Sequence, residues 1–367
     1  MDQHRQTAVG TLGQRFARWK ALAALTLIIA SATGCSSVSY YFQALNGQME
    51  LTRKARPIPE VIADPATAPA LKAKLGEVTQ MRDFASQELH LPNNGSYRRY
   101  ADIQRPYVVW NVFATPEFSV QPKEWCFPFA GCVGYKGYFS STGAEELATE
   151  LRAQHYDVFV GGVPAYSTLG WLDDPVLNTF IGYPNAEIAR LMFHELAHQT
   201  VYVKGDSTFN ESFAVTVERA GVARWLAAHG TELEQRAFDL QRVRAQAFSE
   251  LVAKYRSRLA DLYAEPLDPA AMRSRKQEVL AQMRAEYERM KQSWDGYTGY
   301  DWWFDQPLNN AQLASVAIYT QLVPAFERIL QDNGGDLQRF YAEVKRIAAL
   351  SQAQRDAELG KLNAARG

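Results

Sequence analysis

Apolar residues change their spacing twice along this chain. Between about Pro69 and Leu89, Leu71, Leu75, Val78 and Met81 recur every three or four positions, which predicts a helix with one buried face, and Leu91-Pro92-Asn93-Asn94-Gly95 breaks it. From Tyr107 the repeat shortens. Tyr107–Phe113, Glu117–Trp125, Tyr135–Phe139 and Tyr156–Gly161 are brief β-branched and aromatic runs set apart by Pro and Gly. They predict a small, mostly antiparallel sheet, with Glu145–Gln154 as a helix between two of its strands. Helical spacing returns near Asn185. That residue is placed to cap a helix with Glu187 in its first turn and Ile188, Leu191, Met192 and Leu196 as its buried stripe, ended by Lys204-Gly205-Asp206. A second helix runs from near Thr208 to His229-Gly230.

A longer pair follows. Thr231 and Glu234 have the spacing of a capping box and open a helix through about Ala264; Asp268, before Pro269, caps another that reaches about Ser293. The two predict an antiparallel hairpin whose charged, apolar-striped surface fits a scaffold, a lid, or an arm that binds a protein partner. After the aromatic loop Trp294–Phe304 come a helix from about Asn309 to Leu330 and a last helix beyond Asp332-Asn333-Gly334-Gly335. The expected fold class is α+β, mainly helical, with a small antiparallel sheet and a long helical hairpin. Its expected divisions are a segment over 35–64, a body over 65–230, the hairpin over 231–293, and C-terminal helices over 294–367 that complete the body.

Composition adds little to this, and the first residues add more. At 367 residues, 47% hydrophobic and 22% charged, the chain has globular composition, and a formal charge of −1 with no basic cluster beyond the N-terminus argues against a nucleic-acid partner. Arg5, Arg15, Arg18 and Lys20 precede Ala21–Ala30, an apolar run too short to span a bilayer. Residues 1–34 therefore read as a signal peptide. Ala32-Thr33-Gly34-Cys35 resembles a bacterial lipobox with Ala in place of the usual Leu, so Cys35 is the expected site of lipidation; an ordinary secretory signal with an incidental Cys is the alternative. Ser36, rather than Asp, favours an outer-membrane location facing the periplasm. Removal of residues 1–34 takes four positive charges and one negative charge from the chain and leaves −4. In an oxidising compartment the two remaining cysteines, Cys126 and Cys132, are expected to form a local disulfide staple; a C-x5-C metal site would lack further thiolates.

Chemistry enters with His194-Glu195-Leu196-Ala197-His198. Residues four apart share a helix face, so His194 and His198 can aim imidazole nitrogens at one ion. Glu195 stands about 100° further round, able to take a proton from a metal-bound water without being a ligand. The bland alternative is an accidental surface pair. A tetrahedral catalytic zinc needs a third protein ligand, and Glu211 is the candidate. Two other possibilities stay open: Thr208-Phe209-Asn210-Glu211 also fits a capping box, and Asp206 on the connecting loop is a rival ligand. Asn210 and Glu218 are candidates to support the ligands from behind, though Glu218 also suits a solvated helix face.

Asn210–Glu218 resembles the Asn-Glu-Gly-Phe-Ala-x-x-x-Glu stretch of gluzincin aminopeptidases. HELAHQ and NESFA behind a lipoprotein signal are together similar to the family of bacterial predicted aminopeptidases, a lipoprotein group assigned to zinc metallopeptidases. Tyr40-Tyr41-Phe42-Gln43-Ala44, Trp125-Cys126-Phe127-Pro128, Ala165–Trp171, Asn309-Asn310, Tyr319 and Pro324-Ala325-Phe326 also look like that family. The resemblance implies a zincin-like fold, one Zn²⁺ on His194, His198 and Glu211, and peptide hydrolysis in the periplasm with Glu195 as general base. An aminopeptidase is the first expectation; a zinc endopeptidase or processing protease of the envelope and a non-catalytic peptide-binding lipoprotein are the alternatives. An edge strand over 158–167, with Gly161, Gly162 and Ala165, is the candidate seat for a peptide backbone. Tyr166 and Tyr319 are candidates to stabilise the oxyanion. Two departures stand out: the spacing from the His pair to Glu211 is shorter than in gluzincin aminopeptidases, and Phe159–Thr168 lacks the acid that binds the substrate's amine there.

Overall fold

Strands occupy short stretches between residues 56 and 177, and helices nearly everything after them. The computed structural model describes residues 39–127 and 131–364, so the expected signal peptide and Cys35 lie outside the described residues. The chain divides into two compact units, Met1–Glu50 and Leu51–Gly367. In the first, residues 39–50 are helical (α1). Among the described residues no helix is long and apolar enough to cross a membrane.

The second unit opens with helical residues 51–54, followed by β1 (Arg56–Pro57), α2 (Ile58–Ala63) and α3 (Pro69–Gln87). Leu75, Val78, Met81 and Ala85 form the buried stripe of α3, close to the predicted spacing. On the same helix Arg82 is wholly buried, and it holds the following loop: its guanidinium donates to the carbonyls of Ser96 (2.7 Å), Pro92 (2.6 Å) and Asn94 (3.2 Å). Burial pushes its pKa down to about 10.

Three small sheets replace the single one expected. β1, β2 (Arg99–Ala101) and a later strand form a mixed sheet. β3 (Val109–Pro116) is flanked antiparallel by β6 (Lys136–Tyr138) and β7 (Tyr156–Val163), and β4 (Trp125–Phe127) pairs with β5 (Gly131–Val133). The expected strand over Glu117–Trp125 reduces to β4, because Pro116 and Pro122 supply no ladder donor and Ser119 N–H closes a turn onto the Pro116 carbonyl. α4 (Ser141–Ala153), capped by Ser140, covers one face of the β6-β3-β7 sheet through Ala144, Ala148 and Leu151. β8 (Val176–Leu177) joins β2 in parallel and runs into α5 (Asn178–Ile181).

α6 (Asn185–His198) and α7 (Ser207–His229) run through the main core. Gly221 lets them meet closely: a Cβ there would come within 2.8 Å of the Phe193 ring. Asn185 does not cap α6. It is the first helical residue after Pro184, and its side chain accepts from Lys74 instead. The helix also stops at His198, six residues before the expected Lys204, and the loop after it is tied down twice. Asn210 donates to and accepts from the backbone of Val203, and Arg355 pairs with Asp206 at 2.9 Å.

α8 (Glu232–Tyr263) starts with the Thr231–Glu234 capping box and α9 (Pro269–Ser293) with the Asp268 cap. Lys254 meets Glu286 and Arg258 meets Gln282, the register of an antiparallel pair. α10 (Asp301–Phe304) stacks Phe304 on Tyr287 of α9. The helix expected over 309–330 is two, α11 (Asn310–Thr320) and α12 (Val323–Asp332), since Pro324 cannot continue the first and suits the opening turn of the second. Ser212 repairs the break, its Oγ accepting from Leu322 N–H and donating to the Tyr319 carbonyl. The last helix is likewise two, α13 (Leu337–Ala348) and α14 (Gln352–Ala364). The mainly helical α+β class expected from the sequence is what the structure has.

Replacing Arg82 by Met leaves one buried and two half-buried carbonyls without their donor and should lower stability by about 2–4 kcal/mol. Removal of the exposed Arg98–Asp83 pair should cost less than about 1 kcal/mol. Urea denaturation of Arg82→Met and Arg98→Ala side by side checks the contrast.

Candidate metal centre

His194 and His198 lie one turn apart near the end of α6, and Glu211 lies in the first turns of α7, so the loop between them brings all three together. His194 Nε2 is 3.1 Å from Glu211 Oε2, His198 Nε2 is 3.2 Å from His194 Nε2, and His198 Nε2 is 3.5 Å from Glu211 Oε2. Two ligands about 2.05 Å from a tetrahedral ion stand about 3.3 Å apart, so this triangle has the size that a metal ion needs. Each of the three residues is only 7% exposed. Glu218, two turns along α7, reaches the back of the cluster: its Oε2 is 2.8 Å from His194 Nδ1 and 3.4 Å from Arg190. A carboxylate on Nδ1 fixes the tautomer that leaves Nε2 free to ligate.

The electrostatics match the geometry. Burial alone would disfavour charge on His194, but hydrogen bonds to Glu211 and Glu218 and the charges of Glu218 and Glu195 outweigh it and hold the imidazole pKa at about 10. Burial likewise disfavours charge on Glu211, yet the His198 charge and hydrogen bonds from both imidazoles bring its carboxyl down to about 2. The cluster is built for one added positive charge, which a proton or a metal cation can supply. Glu195 differs. Burial pushes its carboxyl up while His194 and His198 pull it back, which suits a group that must both take and give a proton.

The other candidates separate. Asp206 is not beside the cluster; it caps α7 through Phe209 N–H and pairs with Arg355. With Asp206 as the cap, Glu211 is left out of the capping box that Thr208 suggested. Asn210 serves the α6–α7 loop rather than the ligands. Tyr319 is brought in from α11, its ring 6.2 Å from that of His194. Tyr166 packs its ring on Phe139, its pKa raised to about 12 by burial and then by Asp174 and Glu195.

Sequence reasoning missed three tyrosines. Tyr202 places its ring 6.5 Å from His198, and Tyr135, tilted against Phe113, is raised well above its ordinary pKa by burial and then by Glu211. Tyr97 is 1% exposed, adopts a left-handed φ of 63°, and finds no hydroxyl partner among the described residues; burial and then Glu195 raise its pKa. Only Tyr202, four residues after His198, carried a sequence signal.

Among the described residues β7 is an edge strand, paired with β3 alone. The Val158 carbonyl accepts from Asn309 and the Val163 carbonyl from Val108, so by the two-residue repeat the outward backbone groups are those of Val158, Val160 and Gly162. Gly161 lies opposite Asn111. Gly162 lies under the Tyr107 ring, which a Cβ would meet at 2.3 Å, and Ala165 is buried beyond the strand. A disulfide joins Cys126 and Cys132 across β4 and β5. Gly131 of this hairpin, at φ +81°, presses on the α6–α7 loop, where a Cβ would come within 2.5 Å of Gly205 N.

Glu218→Gln should keep the fold and weaken divalent-metal affinity about 10- to 100-fold, read by competition with a chromophoric chelator. Asp174 gives a pH prediction. Burial outweighs its hydrogen bonds from Thr168 and Ser167 and raises the carboxyl to about 6. The folded chain therefore keeps a proton that the unfolded chain loses near pH 4. This contribution is full below about pH 4 and is lost as pH rises through 6, by about 3 kcal/mol. Asp174→Asn should remove that loss, so the variant should gain on the parent between pH 4 and 7.5 in urea midpoints.

No curated protein and no solved structure matches this chain. Residues 39–359 match the sequence profile of one family, described as "Putative aminopeptidase". Because that match covers most of its length, the chain belongs to this aminopeptidase family.

Proposed function

We propose that the protein is a zinc peptidase, an aminopeptidase in its action, carried on a lipid at Cys35 at the periplasmic side of the outer membrane. The triangle of His194 Nε2, His198 Nε2 and Glu211 Oε2 carries the reading. Two imidazoles and a carboxylate are a donor set that suits zinc. A bound Zn²⁺ supplies a Lewis acid for the peptide carbonyl and acidifies a water.

The remaining work belongs to the chain. Glu195 takes the proton of the attacking water and delivers it to the leaving amine. Glu218 keeps His194 in the ligating tautomer. Tyr319, beside His194, is the hydroxyl donor for the carbonyl oxygen as negative charge develops there, with Tyr166 the second candidate. The peptide backbone pairs with the outward groups of Val160 and Gly162 on β7. The signal-like residues 1–34 and the Cys126–Cys132 disulfide support an oxidising compartment. On the hairpin, the exposed Leu233, Leu240 and Val243 of α8 are the place for a protein partner.

The lack of an acid over Phe159–Thr168 keeps an endopeptidase as the second reading. Glu195→Gln should retain fold and metal and lower kcat at least about 100-fold on unblocked peptides. Undiminished turnover would remove Glu195 as the base. Parallel assays on N-acetylated peptides should show no cleavage, and equal cleavage of both sets would favour the endopeptidase.

A further inference from the structure

The described part of the first unit is a helix turned inside out. Tyr41, Phe42, Leu45 and Met49 of α1 are 44%, 63%, 56% and 41% exposed. At about 100° per residue, Leu45, Met49 and Phe42 stand roughly 40°, 80° and 100° round from Tyr41, one continuous apolar face. The far side carries Gln43, Gly47 and Glu50, all less exposed than that face. A helix whose surroundings are water alone has the opposite arrangement.

We infer that this face of α1 lies in the surface of a lipid bilayer, as a second membrane contact beside the lipid on Cys35. The inference rests on the anchor proposed above. Only five residues lie between Cys35 and Tyr41, six steps that span at most about 22 Å of extended chain, so a lipid on Cys35 keeps the apolar face at the membrane. From Tyr41 to Met49 the face is about 12 Å long, too short to cross a bilayer and suited to lying along its surface. Tyr41 at its edge also fits the boundary, where aromatic residues with a polar tip collect. In this arrangement the lipid supplies the affinity and the helix face fixes how the segment after it lies on the surface.

The experiment uses the full chain, processed by its host and reconstituted in phosphatidylethanolamine/phosphatidylglycerol vesicles. Leu45→Cys and Gln43→Cys are each labelled with a polarity-sensitive fluorophore, Cys126 and Cys132 being disulfide-bonded. Mass analysis of the N-terminal peptide reports lipid on Cys35. The proposal expects the probe at 45 to be blue-shifted and quenched by nitroxide-bearing phospholipid roughly threefold more than the probe at 43. Equal quenching at the two positions on a lipidated chain would overturn it while leaving the anchor intact. A blue-shifted probe at 45 that the nitroxide lipid does not quench would mean that protein covers the face, which also overturns it. Strong quenching at 45 on a chain without lipid at Cys35 would remove the anchor and keep the helix contact.

Discussion

Burying two imidazoles and a carboxylate within 3.5 Å of one another is the constraint on which the rest of this structure turns. Such groups are costly to desolvate unless each finds an opposite charge or a hydrogen bond. The chain meets the requirement with two helices and a short loop. Glu211 and Glu218, seven residues apart on one face of α7, approach His194 from its two ring nitrogens, and Arg190 completes the row on the far side of Glu218. The supports further out all bear on the same hairpin of helices. Asp206–Arg355 and Asn210 hold its loop, Gly131 of the disulfide hairpin abuts it, and Ser212 ties α7 to the α11–α12 break from which Tyr319 reaches the cluster.

Much of this was legible because it is local. The Thr231–Glu234 box, the Asp268 cap and the two histidines are set by spacings of three or four residues within one helix. What the sequence left open depends on partners far along the chain. Asp206 stands as a rival to Glu211 in the sequence, and only its pairing with Arg355, 149 residues away, sets it aside. Tyr135, between β5 and β6, comes under the influence of Glu211 only through the fold, and no periodicity announces a polar role for it. The helix expected over 309–330 divided at Pro324, a local breaker, yet its backbone at the break is satisfied by Ser212, 110 residues earlier.

The wall around Glu195 follows from the same logic of distant contacts. Arg82 gathers the carbonyls of residues 92, 94 and 96, and Asn94 donates to Gln199 at 2.7 Å. Gln199 stands one turn beyond Glu195, so the loop that Arg82 shapes lies along the end of α6 on the Glu195 side. Tyr97, at the end of that loop, is held in its left-handed conformation with its N–H on the Asp174 carbonyl. Asp174 in turn anchors Thr168 of the segment after β7. One buried arginine on α3 thus holds the loop that bonds to Gln199, one turn beyond Glu195.

The edge of β7 bears on which peptides could use this site. Asn309 takes the Val158 carbonyl and Asn310 N–H takes the Asp157 carboxylate, so the start of the strand is already covered by the opening of α11. Past Val163 the chain leaves the sheet. If a substrate adds to this edge, its ladder is limited to the outward groups of Val160 and Gly162, and two residues give few backbone hydrogen bonds. Each such bond is worth only about 0.5–1.5 kcal/mol net. So short a ladder would bind a long extended segment no better than a short one. A substrate held in this way would draw its specificity from side chains beside Glu195 and the His194–His198–Glu211 cluster rather than from the strand.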